Sequence, residues 1–460
     1  MLGKMKDWQK FFKGKKITQM GLGLLGRGVG DAVFLVQQGV ELLVTDLKSK
    51  KELAPSLKKL KKYNQPKAGR PRAGNITYCL GGHRLEDFRN QDFILKAAGV
   101  PLDSPFIAEA RKNGVPIEMD ASLFFKLMPK GVTFIGVTGT RGKTTTAYLI
   151  YEMLKASKKK VFLVGNIKDT ATLPILEKVK SSDFVVAELD SWQLQGFGES
   201  QISPHISVFT TFLSDHMNYY KGDMILYFKD KANIFKYQKK GDVLILGDGV
   251  VEAARHLGVE LPSGALVACA KDLPKNWKLK IIGEHNRYNA ACALAVARVL
   301  KIPDEISRKA IENFKGVPGR LEFLREIRGI KIYNDTCATT PDATIAALRA
   351  LNTKQIILIL GGADKGLDMS ELIAEIQKYC KVVILLPGTG TDKLISNSKF
   401  LISNQVLISN VKNLKEAVKQ ATKISKRGDI ILFSPAFASF GMFKNEYDRG
   451  EQFEKLVKGL

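Results

Sequence analysis

Short apolar runs, separated by clusters of Gly, Pro, Asp and Lys, recur along the whole chain, and this alternation predicts its elements. Near the N-terminus the strand candidates are Lys16–Met20, Glu41–Thr45 closing on Asp46, Asn75–Leu80 and Phe93–Ala98, with a helical stretch filling the interval up to Gly39. The middle of the chain gives Val132–Val137 and further runs at 161–164, 184–187, 206–209 and 243–246. The last part gives Lys331–Asn334, Ile356–Leu360, Val382–Leu386 and Ile430–Phe433. Helical patterns lie between several of these runs. Ala147–Leu154 is apolar at 147, 150, 153 and 154, Tyr227–Phe235 reads as a helix, and Ala290–Ala297 is a run of mostly small residues that packs closely. Strands alternating with helices imply largely parallel sheets. Ile356–Leu360 is wholly apolar, as a strand covered on both faces should be.

The most informative segment is Gly136-Val-Thr-Gly-Thr-Arg-Gly-Lys-Thr-Thr-Thr146, set between a strand candidate and a helix. Gly139 and Gly142 let backbone N–H groups turn inward, the helix N-terminus adds a positive field, Lys143 supplies a cation, and the Thr144 hydroxyl can reach a bound Mg²⁺. A strict GxxxxGK[ST] loop would place Gly at 137, where Val137 stands; the glycine lies one position earlier, at 136. Phosphate binding is the expectation. A second glycine-rich turn, Gly21-Leu-Gly23-Leu-Leu-Gly26, follows the first strand, with Asp46 twenty positions beyond the last Gly. By pattern this is a dinucleotide fingerprint, although such turns also serve uridine nucleotides or no ligand. The fold class expected is α/β in three domains. These are a Rossmann-like N-terminal domain over about 1–130, a central P-loop ATPase-type parallel-sheet domain over 131–316, and a C-terminal Rossmann-like α/β domain over 317–460, with Gly316-Val-Pro-Gly319 as punctuation.

Length and composition agree. A chain of 460 residues exceeds one ordinary core, and 45% hydrophobic with 25% charged residues is the balance of a soluble globular protein. There is no apolar run long enough to span a bilayer, and Met1–Trp8 lacks the apolar core of a signal peptide. The five cysteines (79, 269, 292, 337, 380) form no CxxC pair, which suits a reducing cytoplasm. Lys+Arg minus Asp+Glu is 71 − 46 = +25. The lysines are dispersed, the densest run (Leu57–Lys62) reads as one exposed helix, and no aromatic-interleaved basic motif occurs. The charge therefore reads as a solvated basic surface or a field that attracts anionic substrates, in preference to nucleic-acid binding, with no nucleic acid and no membrane as partner. A cytoplasmic monomer is expected.

Polar residues cluster after the phosphate loop. Glu188 ends an apolar strand and is placed for Mg²⁺, which prefers oxygen ligands. Asp215-His216 offers a metal-capable imidazole or a general base, and Lys231 lies on the helix that follows. Gly283-Glu-His-Asn-Arg-Tyr-Asn289 precedes the small-residue helix, where its Asn side chains could read a base edge.

Taken in order, Thr138–Thr144, the Glu188 strand end, Asp215-His216-Met, Lys231, Gly283–Asn289, Pro318-Gly-Arg320 and Asn334-Asp335 resemble the Mur ligase family of ATP-dependent amide-bond-forming enzymes over essentially the whole chain. The short N-terminal domain with Gly21–Gly26 and the ending Ser434–Ser439, Phe443–Gly450 are similar to the members that add D-glutamate to UDP-N-acetylmuramoyl-L-alanine. The resemblance implies ligation through an acyl phosphate in peptidoglycan precursor synthesis, with ATP between the central and C-terminal domains. It implies ATP contacts from Gly139, Thr140, Arg141, Gly142, Lys143, Thr144 and Thr145, with Asn289 on adenine, Arg320 on phosphates and Asp335 on ribose. It implies two Mg²⁺ ions, one on Thr144 and Glu188 and one served by His216 and a carbamylated Lys231. Leu24, Leu25, Asp46 and Gly99 would hold the uridine nucleotide, Asn166 and Ser191 the muramoyl end, and Thr339, Lys365 and Ser439 the amino acid. Cys337 stands where the family has a lysine and Glu446 where it has an aromatic, so L-glutamate or another acceptor is the alternative to D-glutamate. A folylpolyglutamate synthetase-like ligase would lack the N-terminal domain. An NAD-dependent oxidoreductase would leave Lys143, Glu188 and His216 without roles, and a non-enzymatic P-loop regulator would not need the Asn334-Asp335 and Ser434–Ser439 clusters.

Overall fold

The computed structural model describes residues 6–63, 75–168, 170–396 and 407–460. Met1–Met5 of the N-terminal stretch lie outside the described residues. Three sheets are present. The first contains β1 (Lys16–Met20), β2 (Glu41–Asp46), β3 (Ile76–Leu80), β4 (Phe93–Lys96) and β5 (Ile117–Glu118) in the order β3-β2-β1-β4-β5. The second contains β6 (Thr133–Thr138), β7 (Val161–Gly165), β8 (Phe184–Glu188), β9 (Ile206–Phe209), β10 (Val243–Gly247) and β11 (Leu266–Ala268) in the order β11-β10-β9-β6-β8-β7. All pairings in these two sheets are parallel.

The third sheet contains β12 (Glu322–Ile327), β13 (Ile330–Asn334), β14 (Ile356–Leu360), β15 (Cys380–Leu385), β16 (Leu407–Asn410) and β17 (Ile430–Phe433), in the order β12-β13-β17-β14-β15-β16. It is parallel except for the β12–β13 hairpin. Side chains alternate across a strand, and β14 uses both faces. Ile356, Leu358 and Leu360 join one buried cluster with Leu372 and Ile376, while Ile357 and Ile359 join another with Val418 and Phe453. The doubly covered strand read from the sequence is therefore present.

The chain forms two compact units, Met1–Pro274 with Asn289–Ile311, and Lys275–Tyr288 with Glu312–Leu460. The first unit holds the first two sheets, and one apolar cluster runs from Trp8 and Phe34 to Phe134, Phe197 and Phe228. The basic run at 57–62 is not one exposed helix. Ala54–Leu60 is α-helical, Lys61–Tyr63 is a tighter turn, and Ser56 and Leu60 are buried, so one face of the helix turns toward the core while Lys58 and Lys59 stay exposed. The helix expected over Tyr227–Phe235 lies at Met224–Ala232, where Asp223 caps the amide of Leu226. No helix among the described residues is long and apolar enough to cross a membrane.

Candidate active site

The phosphate-loop candidate joins β6 to the helix Lys143–Ala156. Gly139 has φ +146° and Gly142, which caps the helix, has φ +84°. Both conformations favour glycine, and a Cβ would run into Thr210 Oγ1 at the first and Asn289 Oδ1 at the second. Asn289 is thus brought against the loop from its distant helix. The segment after β9 braces the turn. Thr210 Oγ1 donates to Arg141 O at 2.6 Å, Thr211 Oγ1 accepts from Arg141 N at 2.8 Å, and Leu213 N donates to Thr140 Oγ1 at 3.0 Å. Thr144 and Thr145 open the helix and are largely buried.

Two amines converge on this loop. Lys143 Nζ donates to Gly139 O at 2.9 Å and Thr140 O at 3.1 Å, and Lys231 Nζ donates to the same Gly139 O at 2.9 Å. Lys231 is 1% exposed and lies 4.8 Å from the centre of the Tyr227 ring. Burial, reinforced by the charge of Lys143, pushes its pKa well below the ordinary lysine value. His216 is at φ +56° at the start of a short helix, with its ring 4.6 Å from that of Trp192 and 6.2 Å from that of Tyr227. Asp215 links it to the loop, accepting from Arg141 Nη1 at 2.8 Å while its Oδ2 lies 3.7 Å from His216 Nε2. The grouping of Lys143, Lys231, Arg141 and His216 is therefore real in three dimensions. Asp215 and Tyr227, which hold it together, were not among the sequence candidates for roles.

Glu188 ends β8 beside β6, paired with Val137. It is 2% exposed, and its Oε2 has no hydrogen-bond partner among the described residues. A buried oxygen acceptor left unpaired at the C-terminal edge of a parallel sheet fits a hard cation such as Mg²⁺. Asn166 lies alongside, its backbone N–H donating to Glu188 O at 2.8 Å, and Ser191 is buried at the start of the helix Ser191–Glu199.

In the first sheet, Leu24, Leu25, Asp46 and Gly99 line a cavity of about 370 Å³; Asn166 and Ser191 do not border it, but Asp120 and Gln193 do. Asp46 is a strut for the glycine turn. Its Oδ2 accepts from the amides of Leu22 at 2.9 Å and Gly23 at 3.1 Å, and its Oδ1 from Lys48 N at 2.9 Å. A carboxylate so engaged has little left for the paired ribose hydroxyls that the dinucleotide reading requires.

The second unit gathers the remaining candidates. Asp335 accepts from Leu321 N at 2.8 Å and Ser434 Oγ at 2.7 Å, yet burial raises it to about 7 despite these bonds and the neighbouring Arg320, itself exposed. Lys365 Nζ reaches Thr339 Oγ1 at 3.3 Å. Backbone bonds between Ala363 and Ala438 bring Ser439 alongside the same turn. Arg449, absent from the sequence candidates, is fully buried and ties the two segments together, donating to Thr336 O at 2.7 Å and Phe437 O at 3.1 Å. Cys337 N donates to Gly319 O at 2.9 Å, and burial lifts the thiol to about 11. Glu446 opens the last helix, its carbonyl accepting from Thr336 Oγ1 at 2.8 Å.

Comparison with known proteins places the chain in a family. Residues 137–260 match the Mur ligase middle domain and residues 319–437 the Mur ligase, glutamate ligase domain. The UDP-N-acetylmuramoylalanine–D-glutamate ligase of Roseiflexus sp. (strain RS-1) is 36% identical, covering 97% of this chain and 99% of that protein. The protein of the same name from Clostridioides difficile (strain 630) is 34% identical over the same shares. Among solved structures, the UDP-N-acetylmuramate–alanine ligase of Thermotoga maritima superposes with a TM-score of 0.62 at 21% identity, covering 97% of this chain and 99% of that one. The MurF ligase of Thermotoga maritima in complex with ADP gives 0.56 at 18% identity, covering 99% and 100%. Matched in sequence to relatives over nearly its full length and to the models of two Mur ligase domains, the chain belongs to the Mur ligase family.

Proposed function

We propose that the chain is an ATP-dependent carboxylate–amine ligase that joins D-glutamate to UDP-N-acetylmuramoyl-L-alanine, a step in making peptidoglycan precursor, and acts as a cytoplasmic monomer. One observation carries the chemistry: two amines and an unpaired buried carboxylate oxygen are set around one glycine-rich turn, an arrangement suited to a polyphosphate and a cation together. The substrates follow from the names of the full-length relatives. We divide the chain into domains at about 1–130, 131–316 and 317–460, one sheet in each.

In this reading Lys143 and the amides of 139–145 hold the phosphates of ATP, Asn289 faces adenine, and Arg320 and Asp335 serve phosphate and ribose. Thr144 and Glu188 would hold one Mg²⁺, and His216 and Lys231 a second, these ions offsetting the repulsion between a carboxylate and a polyphosphate. The depressed basicity of Lys231 favours the neutral amine, the form able to add to carbon dioxide, lose a proton and become a carbamate oxygen ligand. Leu24, Leu25 and Gly99 hold the uridine nucleotide, with Asp46 bracing the glycine turn beside them and Asn166 and Ser191 toward the muramoyl end; Thr339, Lys365 and Ser439 hold the amino acid. The alanyl carboxylate oxygen attacks the γ-phosphorus and ADP leaves. The glutamate amine then attacks the acyl carbon, the amide forms as the nitrogen loses a proton, and orthophosphate departs.

The test is orthophosphate release from ATP with each substrate mixture. Release that requires both UDP-N-acetylmuramoyl-L-alanine and D-glutamate, with ¹⁸O from the alanyl carboxylate recovered in orthophosphate, is the expected result. Release without acceptor, or unlabelled orthophosphate, overturns the reading, and equal turnover with L-glutamate overturns the choice of acceptor.

A further inference from the structure

A buried ammonium has no part in the chemistry above. Lys96 is the last residue of β4 and is 1% exposed, although it borders the cavity that contains Gly99. Its Nζ donates to Val100 O at 2.7 Å, Ala97 O at 3.3 Å and Ala98 O at 3.4 Å. Three carbonyls of one turn thus point at one nitrogen. An ammonium has three N–H donors and no lone pair, so the charged form serves all three at once, while Ala97 O accepts in addition from Val100 N at 3.1 Å.

The turn is also pressed against the glycine-rich turn after β1. Ala97 N donates to Met20 O at 2.9 Å, and a Cβ on Gly21 would come within 2.8 Å of Ala97 Cβ. Above Gly99 the space is open, with nothing within 4 Å of where its Cβ would be, so its backbone faces the cavity. Burial lowers the Lys96 ammonium to about 8, with Asp190, Asp230, Asp120 and Glu199, on the facing segments, acting to keep it charged. At pH 7 it therefore keeps its three donors.

We infer that Lys96 is a positioning residue of the nucleotide-substrate cavity: by drawing the carbonyls of 97, 98 and 100 inward, it turns the opposite side of that backbone, at Gly99, toward the bound UDP-sugar. The inference rests on the assignment of this cavity to the UDP-linked substrate. It differs from a purely structural role in predicting a selective loss of affinity.

The experiment is steady-state kinetics of wild type, Lys96→Met and Lys96→Gln, with calorimetric titration of UDP-N-acetylmuramoyl-L-alanine in the absence of ATP. Loss of a charge-assisted buried hydrogen-bonding group is expected to raise KM and Kd for the UDP-sugar about 10- to 100-fold, leaving kcat and the KM for ATP within about twofold. The glutamine variant keeps two N–H donors and is expected to fall between; it also supplies the test if the methionine variant does not fold. Unchanged UDP-sugar affinity in a folded variant, or a fall in kcat with KM constant, overturns the inference. Failure of the wild type itself to bind the UDP-sugar would instead strike at the cavity's assignment.

Discussion

Replacing Glu188 by glutamine separates stability from function and tests the cation assignment directly. The change swaps one oxygen for an NH₂ group on a side chain that is 2% exposed and has an unpaired Oε2. A buried acceptor without a partner costs about 1–3 kcal/mol, more when it carries charge. The amide retains part of that cost, so the net gain on substitution is about 1–2 kcal/mol. For a unit of this size that raises the melting temperature by about 2–4 °C in metal-free buffer. Magnesium should then separate the two proteins. At ten times its Kd an ion binding only the folded state adds about 1.4 kcal/mol, so the wild type should climb back toward the variant while Glu188→Gln stays put. Turnover should move the other way and fall about 100-fold or more, because several kcal/mol of charge stabilisation are lost. Differential scanning fluorimetry with and without MgCl₂, alongside orthophosphate release, reads all three quantities. A variant that melts below wild type without metal, or one that keeps the magnesium shift, would refute the reasoning.

Other outcomes follow from the same geometry. Lys143→Ala removes the ammonium from Gly139 O and Thr140 O and should lower kcat by about 1,000-fold in a normally folded protein; near-wild-type turnover would remove the loop from the mechanism. Lys231→Ala should be inactive in the same assay and partly restored by formate or acetate, which can occupy the place of a carbamate; full activity without added acid argues against that ligand. Asp335 is raised from 3.8 to about 7, so the folded state holds its proton longer than the unfolded state. That contribution is intact at low pH and declines by about 4 kcal/mol in all as pH rises through 4 to 7, about 2 kcal/mol of it between pH 5 and 7. Asp335→Asn, which keeps an acceptor for Leu321 N, should flatten this slope in urea melts; an unchanged slope assigns it to another group.

The runs that form β2, β6, β8, β9, β14 and β17 were legible in the sequence because each is buried on most of its length and therefore mostly apolar, whereas β1 buries Thr18 and Gln19 and was marked mainly by the glycine turn after it. The antiparallel β12 was not, because an edge strand such as Glu-Phe-Leu-Arg-Glu-Ile is mostly exposed and carries no apolar run. The two-residue β5 is too short for any periodicity. At the site, the Lys143 loop was readable because its residue types are dictated locally. The link from Arg141 to Asp215 spans 74 positions and exists only after folding. Lys96 left a faint signal, a cation closing the apolar run Phe-Ile-Leu, whose meaning depends on where the next four residues turn. Asp46 was noticed for the right spacing, but the amides of Leu22, Gly23 and Lys48 claim its oxygens for the protein's own backbone.

The shared carbonyl of Gly139 has one more consequence. Lys143 is engaged by the carbonyls of its own turn, so on the proposed reading a phosphate would exchange for an internal partner before it is held. Such an exchange would temper affinity and ease departure of the spent nucleotide. On that reading it would also shift positive charge away from Lys231, whose lowered basicity owes part of its cause to Lys143. Occupancy of the loop and the state of the neighbouring amine would thereby meet at a single oxygen atom.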